Sequence, residues 1–263
     1  MKPDDRYLQL AIAAAKEAGR IQMLHFGHSH SVEYKEAFNP VTKVDRLCDR
    51  AIVDMISNAF PDHDILTEER PFEGKGSPWK WIIDPLDGTT NYLHGFPCFC
   101  VSIALEVEKE VKIGVIYVPP LQELFHAERG EGFFLNGERT VVSRVDRLSK
   151  SLVCTGFPYD VHEHADFYLR YFQQFILKSF AVRRPGSAAI DLSYLAAGRF
   201  DGFWEFKLHA WDVAAASLMI TEAGGKVTDL QGRPFNIYSE EILASNGLIH
   251  EEMLQAIQEM NRR

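Results

Sequence analysis

The chain has 263 residues, of which 46% are hydrophobic and 25% charged, and its formal net charge is −9 at pH 7. This composition is typical of a folded globular protein and excludes the collagen-like and disordered classes. The negative charge disfavours nucleic acid and anionic membranes as partners, because the long-range field repels both, and we expect neither.

The four cysteines fit neither the C-x-x-C spacing of a zinc site nor the disulfide framework of a small secreted domain. The N-terminal segment lacks the basic start and the long apolar stretch of a signal peptide. No apolar run approaches the roughly 18 residues that a membrane-spanning helix needs. We therefore predict a cytoplasmic protein with reduced thiols.

The first half of the chain is predicted to contain two amphipathic helices followed by short strands. The helices cover residues 5–26 and 44–59, and the strands cover residues 65–69, 79–88 and 100–118, the last range as a pair. The polar segment between the helices, through Asn39 and Pro40, is expected to be irregular.

The second half is predicted to be a mixture of helices and strand, with the strand at residues 200–206. Its helices cover residues 166–178, 187–198 and 250–262, and a further buried helix begins at Asp212 and ends at Gly224 and Gly225. Helices first, then strands, then a mixture of both indicate a layered α/β fold without a clean covalent boundary.

The strongest chemical signal lies in residues 81–97, where an apolar run leads into Asp84 and Asp87. Pro85 restrains the chain between these two carboxylates, which repel each other unless a cation lies between them. Oxygen ligands favour a hard cation, Mg²⁺ or Mn²⁺, over zinc. The backbone N–H groups after Asp87 can bind an anion, so metal and phosphate chemistry are both indicated. The alternative is an Asp-rich turn whose side chains cap the backbone.

Two further carboxylate positions have similar alternatives. Glu68 and Glu69 close a strand-like segment and can be ligands or a solvated acidic turn. Asp212 opens the longest apolar helix, where it can be a ligand or only an N-cap.

Together these segments resemble the signature motifs of the inositol monophosphatase family. The matching ranges are 84–91, 211–215 and 222–225, with 67–69 and 41–45 as further motifs. The resemblance extends from Lys35 to Gly225, with the motifs in the right order and at the right spacing. It implies the α/β sugar-phosphatase fold, with alternating αβαβα layers.

The resemblance also implies a set of metal ligands. Glu68, Asp84 and the backbone carbonyl of Leu86 are expected to hold one Mg²⁺, and Asp84, Asp87 and Asp212 a second. A third, weaker ion would use Glu68 through water, and Mn²⁺ is expected to substitute for Mg²⁺. The ions would activate a water molecule and stabilise the leaving oxygen.

The catalytic residues implied by the resemblance are Glu68, Thr89 and Asp45, with Thr89 hydrogen-bonded to Asp45 and orienting the attacking water. Gly88 and Thr89 are expected to bind phosphate through their N–H groups. No serine or cysteine is flanked as an activated nucleophile would be, so no phosphoenzyme is expected.

Substrate contacts follow from the same resemblance. They are Asp87, Gly88, Thr89, Gly186, Ser187, Ala188, Glu205 and Asp212, with Lys35, Arg183 and Lys207 as further candidates. Lys207 departs from the family, in which many members have glycine there, and it can point outward or reach a second phosphate.

The predicted activity is hydrolysis of a phosphate monoester of a polyol, with myo-inositol 1-phosphate as the favoured substrate. Fructose-1,6-bisphosphatase and nucleotide 3′-phosphatase activities are the alternatives within the superfamily. A regulatory binding protein that keeps the fold is the alternative from another class.

We predict one unit over residues 1–263. Its first part, 1–145, carries the first metal motifs, and its second part, 146–263, carries Asp212 and the substrate-ring contacts. The family resemblance also implies a homodimer and sensitivity to lithium.

Overall fold

The computed structural model describes residues 5–28, 32–36 and 39–261, which form a seven-stranded sheet, a five-stranded sheet and a small hairpin. The helices of these residues are α1 (Asp5–His25), α2 (Lys43–Ala59), α3 (Thr89–Leu93), α4 (Ala165–Lys178), α5 (Ala188–Ala196), α6 (Ala210–Glu222) and α7 (His250–Asn261). The hairpin pairs β1 (Val32–Glu36) with β2 (Asn39–Thr42). None of the described helices is long and apolar enough to cross a membrane.

The seven-stranded sheet follows the order of the chain. Its strands are β3 (Asp64–Thr67), β4 (Trp79–Asp87), β5 (Cys100–Val107), β6 (Glu110–Val118), β7 (Glu123–Glu128), β8 (Gly132–Leu135) and β9 (Glu138–Thr140). The first two strands are parallel and every later neighbour is antiparallel. Strand β5 is buried along nearly its whole length, which explains its almost continuous apolar sequence.

The five-stranded sheet has the order β11-β10-β12-β14-β13. Its strands are β10 (Leu152–Thr155), β11 (Ala181–Arg183), β12 (Gly202–Phe206), β13 (Lys226–Thr228) and β14 (Glu241–Ser245). Strand β10 is parallel to both of its neighbours, whereas β14 is antiparallel to β12 and β13.

The helices and sheets alternate in layers. Helices α1 and α2 pack on one face of the seven-stranded sheet, α5 and α6 lie between the two sheets, and α4 and α7 cover the five-stranded sheet. A β-carbon at Gly114 on β6 would lie 2.6 Å from the carbonyl oxygen of Ala215, so glycine permits the close approach of α6. The predicted αβαβα fold is confirmed.

The helices predicted over residues 5–26, 44–59, 166–178, 187–198 and 250–262 are confirmed to within a few terminal residues where the structure describes them. Two local predictions are wrong. The segment through Asn39 and Pro40 forms part of a hairpin, whose strands of five and four residues are too short for a clear period. The helix expected to begin at Asp212 begins at Ala210, because His209 is its N-cap residue. The division into parts 1–145 and 146–263 stays a prediction.

Candidate metal and phosphate site

A cavity of about 880 Å³ opens between the two sheets. Its wall is built from the ends of β4 and β12, the first residues of α5 and α6, and residues 156–160. Glu68, Asp84, Asp87 and Asp212 all line this wall. The carboxylates that the sequence singled out therefore face one space, although Asp212 lies far from the others along the chain.

Asp84 and Asp87 reach the same cavity because β4 is irregular between them. Asp84 pairs with Ser102 and Asp87 with Cys100. An advance of three residues along β4 is therefore matched by only two residues along β5. In a regular strand, side chains three positions apart point to opposite faces, and the extra residue of a bulge corrects this. The bulge brings both carboxylates to one face of the sheet.

Asp212 completes a cluster of three carboxylates. One oxygen atom from each of Asp84, Asp87 and Asp212 lies within 4.8 Å of the other two. Asp212 stands at the third position of α6, where its carboxylate accepts a hydrogen bond of 2.6 Å from the N–H of His209. The alternative that Asp212 is the N-cap residue is therefore wrong, because His209 occupies that position. The Asp212 side chain nevertheless takes part in the cap, since it accepts the backbone N–H of His209.

The electrostatics of the cluster are unfavourable without a cation. Burial raises the pKa of Asp84 well above its usual value, and the charges of Glu68, Asp87 and Asp212 raise it further. Burial likewise raises the pKa of Asp212 well above its usual value and that of Asp87 to about 6. A hard divalent cation held by these oxygens would offset the repulsion, so the donor set fits such an ion.

Glu68 directly follows β3, and its backbone N–H donates to the carbonyl of Ile83 on β4. This bond fixes Glu68 at the cavity wall beside Asp84. Glu68 is not one of the three carboxylates whose oxygens lie within 4.8 Å of one another. The structure therefore places it next to the cluster, and its role as a ligand stays a prediction.

Thr89 links the metal loop to helix α2. Its hydroxyl lies 3.1 Å from Oδ1 of Asp45 and 3.1 Å from the carbonyl oxygen of Leu86. Asp45 also accepts a hydrogen bond of 2.8 Å from the N–H of Thr42, which caps α2. The Thr89–Asp45 pair that the resemblance implied is thus present, and Asp45 is held in place by a helix cap.

Gly88 has φ +89°, a conformation that side-chain-bearing residues rarely adopt. A β-carbon there would lie 2.7 Å from the carbonyl oxygen of Cys98. Gly88 and Thr89 line the cavity where α3 begins. The glycine permits the tight turn that brings these backbone groups to the cavity wall.

The part of the cavity wall next to Asp87 is formed by α5 and β12. Ser187, the N-cap residue of α5, donates a hydrogen bond of 2.6 Å to Asp87, and the N–H of Ala189 donates one of 2.8 Å to the same oxygen. Gly186 and Ala188 line the wall beside them. These bonds join the predicted polyol contacts directly to the carboxylate cluster.

Glu205 on β12 also lines the cavity and is 7% exposed. Burial raises the pKa of Glu205 to about 8, although the positive charge of Arg184 opposes the rise. A β-carbon at Gly156 would lie 2.1 Å from the Glu205 carboxylate, so glycine leaves the room that this side chain occupies. Glu205 belongs to the cavity but lies outside the three-carboxylate cluster.

The three further candidates have different positions. Lys35 lies on β1, and its side chain is outside the described part of the structure. Arg183 is exposed at the end of β11 and donates to the carbonyl of Val182, whereas its neighbour Arg184 lines the cavity. Lys207 lines the cavity, has φ +55° and pairs with Asp160.

Several cavity residues were not predicted. Phe157, Tyr159 and Asp160 lie in a segment with no recognisable motif. Asp191 was detectable in principle, because it is the one charged residue within the apolar sequence of α5.

Comparison with known proteins gives consistent matches over nearly the whole chain. A model described as the inositol monophosphatase family matches residues 4–262. A Thermotoga maritima protein named fructose-1,6-bisphosphatase/inositol-1-monophosphatase is 40% identical over 254 residues, which are 96% of each chain. The Nus factor SuhB of Pseudomonas aeruginosa is 40% identical over 258 residues, 95% of each chain.

Among solved structures, the extragenic suppressor protein suhB from Bartonella henselae superposes with a TM-score of 0.91 at 40% identity. The match covers 96% of this chain and 98% of that one.

Proposed function

Because the chain belongs to the inositol monophosphatase family, we propose that it is a Mg²⁺-dependent phosphatase that hydrolyses myo-inositol 1-phosphate or a closely related polyol phosphate. The observation that carries the proposal is the cluster of Asp84, Asp87 and Asp212 in the wall of a cavity that Glu205 also lines. A phosphate group would lie at the carboxylate cluster and the polyol beside Glu205.

The residues present fit a divalent cation. Asp84, Asp87 and Asp212 offer carboxylate oxygens at mutual distances within 4.8 Å, and Glu68 and the carbonyl of Leu86 border the same space. A bound divalent cation would supply Lewis-acid stabilisation of the phosphoryl and leaving oxygens and would lower the pKa of water.

The chain's own groups would position the remaining reactants. The Thr89 hydroxyl has a single proton, so when it donates to Asp45 its oxygen can accept a hydrogen bond from the attacking water. The oxygen of that water bonds to phosphorus as the ester P–O bond breaks, and a proton passes to the leaving alkoxide. The N–H groups of Gly88 and Thr89 would bind the phosphate oxygens.

The experiment is a phosphate-release assay on a panel of inositol phosphates, fructose 1,6-bisphosphate and 3′-phosphoadenosine nucleotides, with and without Mg²⁺. We expect release from inositol 1-phosphate that EDTA abolishes and Mg²⁺ restores. Mn²⁺ should substitute, and Li⁺ should inhibit. Absence of release from every substrate at any divalent-ion concentration would contradict the proposal.

Lys207 favours a second candidate substrate, a sugar bisphosphate. Lys207 lines the cavity, where its ammonium group pairs with Asp160, and it keeps a side chain at a φ of +55°, where glycine would be unstrained. The name of the Thermotoga maritima relative includes both activities. A preference for fructose 1,6-bisphosphate that Lys207→Ala removes would replace the inositol assignment and leave the phosphatase assignment standing.

The name of the Pseudomonas aeruginosa relative, a Nus factor, favours a binding role as the candidate from another class. In that case the carboxylate cluster would have no catalytic role. A protein that releases no phosphate but forms a stable complex with another macromolecule would support the binding role. We also infer a cytoplasmic homodimer from the family resemblance, which sedimentation analysis would test.

A further inference from the structure

Asp191 lies on α5, a helix whose other residues are almost all apolar or small. It is 1% exposed, and burial raises its pKa well above the usual value. An ionisable side chain in such surroundings is costly unless it is paired or has a function. The proposed mechanism assigns no role to this group.

The side chain of Asp191 is incompletely satisfied. Its Oδ1 atom is buried and has no hydrogen-bond partner among the described residues, a condition it shares there only with Oε1 of Gln22. Buried carboxyl groups elsewhere are satisfied, as in Asp201, which accepts bonds from Ser143 Oγ and from the N–H of Leu152. A buried polar atom without a partner requires an explanation, and a missing ligand is one.

Asp191 also lines the cavity, and Glu205 is among its charged neighbours. The groups whose charges influence it are Glu205, Asp87 and Arg184. The positive charge of Arg184 lowers the pKa of both Asp191 and Glu205, and so partly offsets the effect of their burial. Asp191, Glu205 and Arg184 line one part of the cavity, which we call the recess. Their two carboxyl groups and one guanidinium form a set of acceptors and donors that suits sugar hydroxyls.

We propose that Asp191 is a specificity-determining residue whose carboxyl group hydrogen-bonds a second hydroxyl of the substrate, beside the hydroxyl that Glu205 binds. This inference rests on the proposed phosphatase function and extends it. The preferred substrates would be polyol phosphates with two free hydroxyl groups directed into the recess. A substrate without the second hydroxyl would leave the Asp191 carboxyl group without this partner in the complex and would be disfavoured.

The test compares two substrates in the wild type and in Asp191→Ala, with Mg²⁺ present. Inositol 1-phosphate has hydroxyl groups to offer, whereas p-nitrophenyl phosphate has none. We expect Asp191→Ala to lower kcat/KM for inositol 1-phosphate by about 10- to 100-fold, the effect of one hydrogen bond to a buried polar group. Turnover of p-nitrophenyl phosphate should change by less than about threefold, so the ratio of the two values reports the contact.

Ser193→Ala is the matched control. Ser193 lies two positions further along the same helix, is buried and donates to the carbonyl of Ala189, but it does not line the cavity. Its loss should leave the substrate ratio unchanged. Asp191→Leu, which keeps nearly the shape of the side chain but has no hydrogen-bonding atom, decides the question if the alanine variant does not fold. A lowered ratio in this variant supports the contact.

An unchanged ratio in a folded Asp191 variant, or equal losses on both substrates, would overturn the inference and make Asp191 a purely structural residue. Those results would leave the proposed function intact, because the wild type would still hydrolyse both esters. Failure of the wild type to release phosphate from either substrate would instead remove the proposed function and this inference together.

Discussion

Two regions with buried polar side chains differ in how fully their hydrogen bonds are satisfied: the cavity wall, and a network that joins residues 143–145, β13 and the end of β14 to the start of α7. In the network, Asn246 donates to Ser143 Oγ and to the carbonyl of Val145, and its Oδ1 accepts from the N–H groups of Leu248 and Ile249. Each polar atom of this side chain has a partner.

His250 shows the same completeness. It is fully buried, and its ring nitrogens lie 2.9 Å from the hydroxyls of Ser245 and Thr228. In the cavity, by contrast, Asp84 accepts one hydrogen bond, from the N–H of Leu86, and faces three other carboxylates. The network is complete within the chain, whereas the cavity carboxylates still require cations or substrate. We therefore expect substitutions in the network to reduce stability, and those in the cavity to reduce activity.

The largest difference should appear when the same substitution is made in both regions. Asp84→Asn removes a charge from the cluster and should lower kcat by about 10³-fold or more, because metal affinity and charge stabilisation are both lost. Asp201→Asn, a buried carboxyl outside the cavity, should leave kcat within about threefold of the wild type. Steady-state phosphate release at saturating Mg²⁺ measures both. Near-normal turnover of Asp84→Asn would refute the metal assignment.

The network should be sensitive to acid at His250. Burial lowers the pKa of His250 from 6.5 to about 4, so the folded protein holds it neutral. Between these values the unfolded chain binds more protons, and stability is therefore lost as the pH falls from 6.5 towards 4. We expect about 2 to 3 kcal/mol of this loss to depend on His250.

Urea denaturation of the wild type and of His250→Gln at several pH values measures that loss. The variant will be less stable at neutral pH, but its stability should fall less steeply between pH 6.5 and about 4. If the two slopes are the same, His250 is not the titrating group.

The local chemistry of the site could be predicted from the sequence better than its assembly. One short motif, residues 84–89, contains Asp84, Asp87, Gly88 and Thr89 and identifies all four. Asp191 belongs to a separate segment, and only the packing of α5 between the two sheets brings it to the recess. A pattern of residue types contains no information on such a packing arrangement.

The same limit applies to the fold. Strongly periodic helices such as α2 were predictable, because one apolar stripe faces the core. The short strands β10, β11, β13 and β14 were not, since three to five residues carry too little periodicity to separate strand from loop. The bulge in β4 was also invisible, although it places both aspartates in the cavity.

Divalent cations should stabilise the cavity and leave the network unaffected. The ion binds only the folded cluster, so Mg²⁺ at 100 times its dissociation constant should add about 2.7 kcal/mol, or roughly 5 to 10 °C in Tm. Asp212→Asn should lose most of this gain, and without metal it should be at least as stable as the wild type because repulsion is relieved. Differential scanning fluorimetry with EDTA and with Mg²⁺ provides the comparison. An equal Mg²⁺ response in both proteins would place the ion elsewhere.

The smallest expected effect comes from removing one threonine hydroxyl in each region, at Thr228 in the network and at Thr89 in the cavity wall. Thr228→Val removes the hydroxyl beside His250 and should cost about 1 to 2 kcal/mol of stability, because a buried ring nitrogen loses its partner. Its turnover should be unchanged. Thr89→Val removes a hydroxyl whose partner Asp45 keeps its bonds to Thr42, so its Tm should change little. Its kcat should nevertheless fall, since the group proposed to orient the water is gone. The comparison is decisive if Thr228→Val loses stability alone and Thr89→Val loses turnover alone. If both variants lose stability and keep turnover, Thr89 has a structural role, as Thr228 does.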